Sequence, residues 1–176
     1  MEHILRAAAA VTNEREFVVV GSQALLAAVP DLPEPLAQSM KLDLYSPSNP
    51  EAADLIDGTI GELSPFDGTF GYYAHGVGPE TAVLPRDWRS RALVVENENT
   101  GGARGICPSP TDLALSKLAA GRDKDLRFVE AMVQLGLVSK GAMEALLCEL
   151  EEEPRRLVRP RLDRMVESAP SRPFNP

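Results

Sequence analysis

The chain of 176 residues is short of cysteine and histidine, with two of each. Cys107 and Cys148 stand far apart and show no metal-ligand spacing, which reads as two reduced thiols in or near a core and excludes a disulfide framework. His3 and His75 are too few and too scattered for a histidine-based zinc site. No apolar run is long enough to span a membrane. The short apolar stretch between Arg6 and Val11 is cut by Thr12, Asn13 and Glu14, so it reads as part of a helix and not as a signal peptide, and a cytoplasmic location is expected. Basic charge is short as well: 18 Lys and Arg against 26 Asp and Glu leave a formal net charge of -8. A protein that simply coats nucleic acid is thereby excluded. The length suits one domain, or one with a small helical appendage, and roughly two thirds of the unfolded surface can be buried without disulfides or structural metal.

The net charge hides a local asymmetry. Arg155, Arg156, Arg159, Arg161, Arg164 and Arg172 face only Asp163 and Glu167, directly after the acidic run Glu151–Glu153. Two readings are open: a basic segment that contacts RNA, or one that pairs with the protein's own acidic surface.

Along the chain, the alanine-rich Glu2–Thr12 predicts a helix. Glu16–Val20 (EFVVV) is a β-branched apolar run of the buried-strand type. Gly21-Ser22 ends it tightly, and Ser22 is placed to cap a helix through Ala28. Three prolines make 29–35 a loop. Lys41–Tyr45 (KLDLY) alternates as a strand with one solvated or ligand-facing side. A turn at 47–50 precedes a helix over 51–60 with Ala52, Leu55, Ile56 and Ile60 on one face. Thr69–Ala74 and Ala92–Glu96 read as further strands, and the glycine-containing 97–105 as a flexible loop. Ser109-Pro110 is a helix start, after which 111–167 is helical with breaks at Gly121, Gly136 and Pro154 and a kink at Pro160. The fold class is α+β: a mixed sheet with helices packed on it over 1–108, a helical region over 109–168, and a flexible tail over 169–176.

Chemistry concentrates in two segments. In the first, Gly21-Ser22 can present backbone N–H groups and a hydroxyl to an anion such as a triphosphate, and Asp43 on the next strand can hold Mg²⁺ beside it. An ordinary helix cap and an ordinary exposed aspartate account for the same spacing. In the second, Lys117, Arg122, Lys124 and Asp125 crowd around Gly121 and could grip a triphosphate, with Asp125 as a further metal or base group. A solvated charged helix face is the alternative there. In the segment 84–91, Trp88 and its neighbouring arginines form either a base-stacking platform or a structural corner anchored by Trp88.

Taken in order, GSQALL (21–26), MKLDLYS (40–46) and LALSKLAAGRDKDLRFV (113–129) resemble the small nucleotidyltransferases related to the AbiEii toxin group, over roughly 1–138. The resemblance implies phosphate binding by Gly21 and Ser22, a metal ligand and catalytic role for Asp43, and nucleotide-binding or catalytic roles for Lys117, Arg122, Lys124 and Asp125. It implies Mg²⁺ as cofactor, a nucleoside triphosphate as substrate, tRNA or other RNA as acceptor, and an antitoxin protein as partner. One departure matters. Where the resemblance calls for the first acid of an acid-x-acid pair stands Lys41, on the same side of the strand as Asp43. Three accounts are open: a metal held in another way, a catalytically silent member that still binds nucleotide or a protein partner, or a chain altered at this position. Glu96, near the end of a candidate strand, is either a third carboxylate or an ordinary exposed residue.

Overall fold

The computed structural model describes residues 1–37 and 39–165. The tail expected to be flexible, and Glu167 and Arg172 of the basic segment, lie outside the described residues.

Five strands, β1 (Glu16–Val20), β2 (Lys41–Tyr45), β3 (Tyr73–Gly76), β4 (Leu93–Val95) and β5 (Arg104–Cys107), form one mixed sheet in the order β3-β2-β1-β5-β4. The central β1 runs antiparallel to β2 and parallel to β5; β3 is parallel to β2, and β4 antiparallel to β5. Phe17 to Val20 are all buried because both faces of β1 are covered, which is why the strand reads as a continuous apolar run. Strand β2 sends Leu42 and Leu44 into the core, while Lys41 and Asp43 share the opposite face, which is half-open there and closes only at the buried Tyr45.

Among the described residues, seven α-helices surround the sheet: α1 (Glu2–Thr12), α2 (Ala53–Ile60), α3 (Pro65–Phe70), α4 (Pro110–Ala120), α5 (Asp123–Gln134), α6 (Lys140–Leu146) and α7 (Glu152–Asp163). Helix α1 buries Ile4, Leu5 and Ala8, an i, i+4 stripe, and packs on α2 and β3. Helix α4 is the pivot of the C-terminal half, burying Leu113, Ala114, Leu115 and Leu118 and packing on α5, α6 and α7. One apolar core runs from Leu5 and Phe17 through Leu118 and Met132 to Leu162, so the helical region and the sheet share it. A smaller cluster of Val18, Val20, Tyr45, Val77 and Ile106 is covered by Trp88. Trp88 is thus the anchor of a corner, with Arg89 lying 5.0 Å over its ring.

Several local readings are corrected. Ser22 caps no helix with its side chain: Gly21 holds the cap position of a 3-10 helix over Ser22–Ala27. The expected strand at Thr69 is the end of α3, which Ser64 starts by accepting from the Asp67 N–H with Pro65 in the first turn. The expected loop at 97–105 contains a 3-10 turn (Glu98–Thr100) closed by an Asn97–Thr100 capping box, and then the start of β5. Leu55 is exposed, because it lies about 100° around the helix from the narrow Ile56–Ile60 stripe. Pro154 does not break a helix but sits in the first turn of α7, where its missing N–H costs nothing; α7 continues past Pro160 to Asp163. Of the thiols, Cys107 is buried and burial pushes its pKa up to about 12, whereas Cys148 is exposed.

Arg91 ties the sheet edge to the helices. It donates to Asp112 at 2.8 Å, a carboxylate with no solvent exposure at the start of α4, and to Glu149 at 2.8 Å. Arg91→Ala leaves the Asp112 carboxylate with the Ser109 hydroxyl but no cation, and should cost about 3–5 kcal/mol in chemical denaturation. The hydrogen bond from Arg91 also holds the Glu149 carboxyl below its ordinary value of 4.5. A depressed carboxylate pKa contributes stability that is complete above that ordinary value and is lost as pH falls through the folded one. Acid titration of unfolding should therefore show a shallower limb for Arg91→Ala below pH 4.5 than for the unaltered chain.

Candidate active site

The site begins where β1 ends. Gly21 has φ +75° with ψ -172°, a combination open essentially to glycine alone. A Cβ there would also lie 2.7 Å from Asp43 Oδ2, so the turn needs glycine for space as well as for conformation. Asp43 sits across from Val20 on one side and across from His75 of β3 on the other. Lys41 Nζ lies 2.9 Å and His75 Nδ1 2.7 Å from the same oxygen, Asp43 Oδ1. An ionised carboxylate only accepts and an ammonium only donates, so the contact at 2.7 Å is satisfied with the His75 proton on Nδ1, directed at Asp43. The 3.2 Å approach of Lys41 Nζ to the same ring nitrogen is then two donors converging on one acceptor.

The opposing wall comes from the α4–α5 junction. Gly121, at φ +66°, ends α4 by donating to Lys117 O, and Arg122 takes the cap position of α5. This reversal brings Lys117 and Arg122 onto one carboxylate: Lys117 Nζ lies 3.1 Å from Asp125 Oδ1 and Arg122 Nε 2.6 Å from Oδ2. Asp125 is 1% exposed. Burial pushes its carboxyl up, but the hydrogen bond from Arg122 and the Lys117 charge outweigh it, and its pKa lies below the ordinary carboxylate value. Lys117 also lies over the Phe128 ring at 5.4 Å.

Between these walls lies a cleft of about 720 Å³. Ser22, Asp43, Lys117, Arg122, Lys124 and Asp125, all singled out from the sequence, line it together; Gly21 supports it through its contact with Asp43. His75, Arg127 and Phe128 also line it and were not foreseen. For His75 the usable signal is pairing: strand period alone does not put it beside Asp43, whereas the parallel register of β2 and β3 does.

A family model described as "Nucleotidyltransferase of unknown function (DUF6036)" matches residues 2–159. The chain belongs to this nucleotidyltransferase family. The match says nothing of a relation to the AbiEii toxin group. No curated protein and no solved structure matches the chain.

The donor set of this family member's cleft does not suit Mg²⁺. Such an ion requires several oxygen ligands in a near-octahedral array. Of the two carboxylates in the cleft, Asp43 is paired with an ammonium and Asp125 with two cations. Glu96 is paired with Arg104 at 3.0 Å and does not line the cleft. Among the described residues no three metal-ligating side chains come together.

Much of the described basic segment is spent within the protein. Arg161 donates to Leu118 O and Ala119 O at the end of α4, Arg164 to Pro160 O, and Arg156 to Glu152. Of these three, Arg156 alone meets a carboxylate; Arg161 and Arg164 bond backbone carbonyls.

Asp125→Ala removes the charge that Lys117, only 14% exposed, relies on. The loss should be about 3 kcal/mol, or about 6–12 °C in Tm, read by thermal unfolding. Gly21→Ala should cost about 1–3 kcal/mol by its backbone conformation and should displace Asp43, shifting the His75 ring resonances in an NMR spectrum.

Proposed function

We propose that this family member binds a nucleoside triphosphate in the cleft between β2 and the α4–α5 junction, and that nucleotide transfer is silenced in the chain as it stands. The observation that carries the reading is the Lys41–Asp43 contact of 2.9 Å within a cleft lined by five cationic side chains and two carboxylates. Lys41, Lys117, Arg122, Lys124 and Arg127 suit a polyphosphate, with Arg offering forked donors and Lys compact charges. The ammonium at position 41 opposes a second cation at Asp43. Positioning and charge neutralisation are most of what nucleotide transfer needs from a protein, and the neutralising metal is the missing part.

A second reading is favoured by the intact frame around position 41. Gly21 still makes room for Asp43, and the two walls of the cleft still face each other. In this reading the frame supports Mg²⁺-dependent transfer of a nucleoside monophosphate to an RNA acceptor such as a tRNA 3′ end. A toxin role with an antitoxin partner belongs to the same reading.

Incubation with Mg²⁺, each labelled nucleoside triphosphate and total tRNA distinguishes the two. The unaltered chain should leave RNA unlabelled, and Lys41→Glu, which supplies the acid-x-acid pair, should label it. Labelling by the unaltered chain overturns the silent reading. Silence from both folded proteins, with nucleotide binding retained, supports a binding-only protein.

A further inference from the structure

The misfit of Mg²⁺ has a positive counterpart, which rests on the nucleotide-binding reading above. We infer that the cleft takes its triphosphate as the free polyphosphate anion, without a divalent cation, and that Lys41 is the built-in counter-ion. Lys41 is not a loose surface lysine. Its backbone is fixed in β2 beside Tyr73 of β3, and its ammonium is held 2.9 Å from Asp43 Oδ1 next to His75. Its ammonium therefore stands at a set place, where it takes the part of a cation beside Asp43 and has donors left over for phosphate oxygens. A divalent ion arriving on a phosphate at Asp43 would meet that ammonium at close range in a partly desolvated site, where like charges repel strongly.

The balance of charge across the cleft points the same way. Asp43 is answered by Lys41, and Asp125 by Lys117 and Arg122, so each carboxylate is already neutralised. Lys124 and Arg127 face the cleft without a carboxylate partner among the described residues. A chain of net charge -8 thus keeps one net-positive hollow. Free triphosphate carries more negative charge than its Mg²⁺ complex and suits that hollow better. The dependence on Mg²⁺ is then opposite in sign to that of a metal-assisted site: added Mg²⁺ withdraws the bound form of the ligand and weakens binding.

Calorimetric titration of the full chain with ATP and with inorganic triphosphate, in EDTA and in excess Mg²⁺, tests this. Both ligands should bind in EDTA, about tenfold more tightly than in Mg²⁺. Lys41→Met should lose about tenfold in EDTA, and Lys41→Arg should retain most of the affinity, with thermal unfolding confirming that both variants are folded. Binding that requires Mg²⁺ overturns the inference while leaving nucleotide binding intact, as does unchanged affinity in a folded Lys41→Met. Absence of binding in both buffers by the folded, unaltered chain overturns the nucleotide-binding reading and this inference with it.

Discussion

From Lys41 to Leu44, strand β2 is covered on one face only, and that single fact determines what the cleft contains. Leu42 and Leu44 are buried to 1% and 0% exposure, so a slip of one residue in pairing would pull both from the core and push Lys41 and Asp43 into it. The register is therefore fixed by hydrophobic burial, at a stake of several kcal/mol for two leucines alone, and not by the polar residues that use it. Because successive side chains alternate, fixing the leucines also fixes the spacing and direction of Lys41 and Asp43. The neighbouring strands add the rest: β1 delivers the Gly21 turn to one side of Asp43, and β3 delivers His75 to the other.

The helical wall depends on a different kind of constraint. Two of its cations, Lys117 and Arg122, are held by one buried carboxylate, Asp125, in a polar contact that spans the break between α4 and α5. A buried ion pair of this sort is weak as a source of net stability, since desolvation offsets much of the attraction. What it provides is placement: with Lys117 and Arg122 both on Asp125, the cap of α5 and the last turn of α4 are held at one spacing. Arg91 performs the same service at the far end of α4, where it joins Asp112 and Glu149 through one guanidinium just before β4. The two junctions anchor α4 at both ends, and α4 in turn carries the packing of α5, α6 and α7.

These two constraints also explain what could be read from the residues and what could not. Alternation in KLDLY and the unbroken apolar run EFVVV are local patterns with a direct physical cause, and β2 and β1 appear with the bounds that they imply. Ser109-Pro110 and Gly121 are equally local, and they start and end α4 as expected. The fifth strand was hidden because its four residues include Gly105, carry no alternation, and follow a glycine pair; it is a strand only because β1 and β4 flank it. His75 was hidden for the same reason in three dimensions, since its meeting with Asp43 depends on a parallel pairing made through the α2–α3 crossover. The Ser64-Pro65 start of α3 was legible in kind, being the same device as Ser109-Pro110, but the aromatic and β-branched residues after it also suit a strand.

Lys41 is the point at which sequence and geometry bear on each other most closely. From the sequence it is a departure from an acid-x-acid pair, and its consequence depends on where the ammonium goes. A lysine has four carbons of reach and could have extended into solvent, leaving Asp43 free. Instead it folds back onto Asp43, and His75 converges on the same oxygen. Two donors meet on this one oxygen, and the Lys41 ammonium offsets the negative charge that would draw a second cation. With Lys41 set against Asp43, the positive charge that remains lies on the helical wall, on Lys117, Arg122, Lys124 and Arg127 against the single carboxylate of Asp125, and it has an anion to answer it.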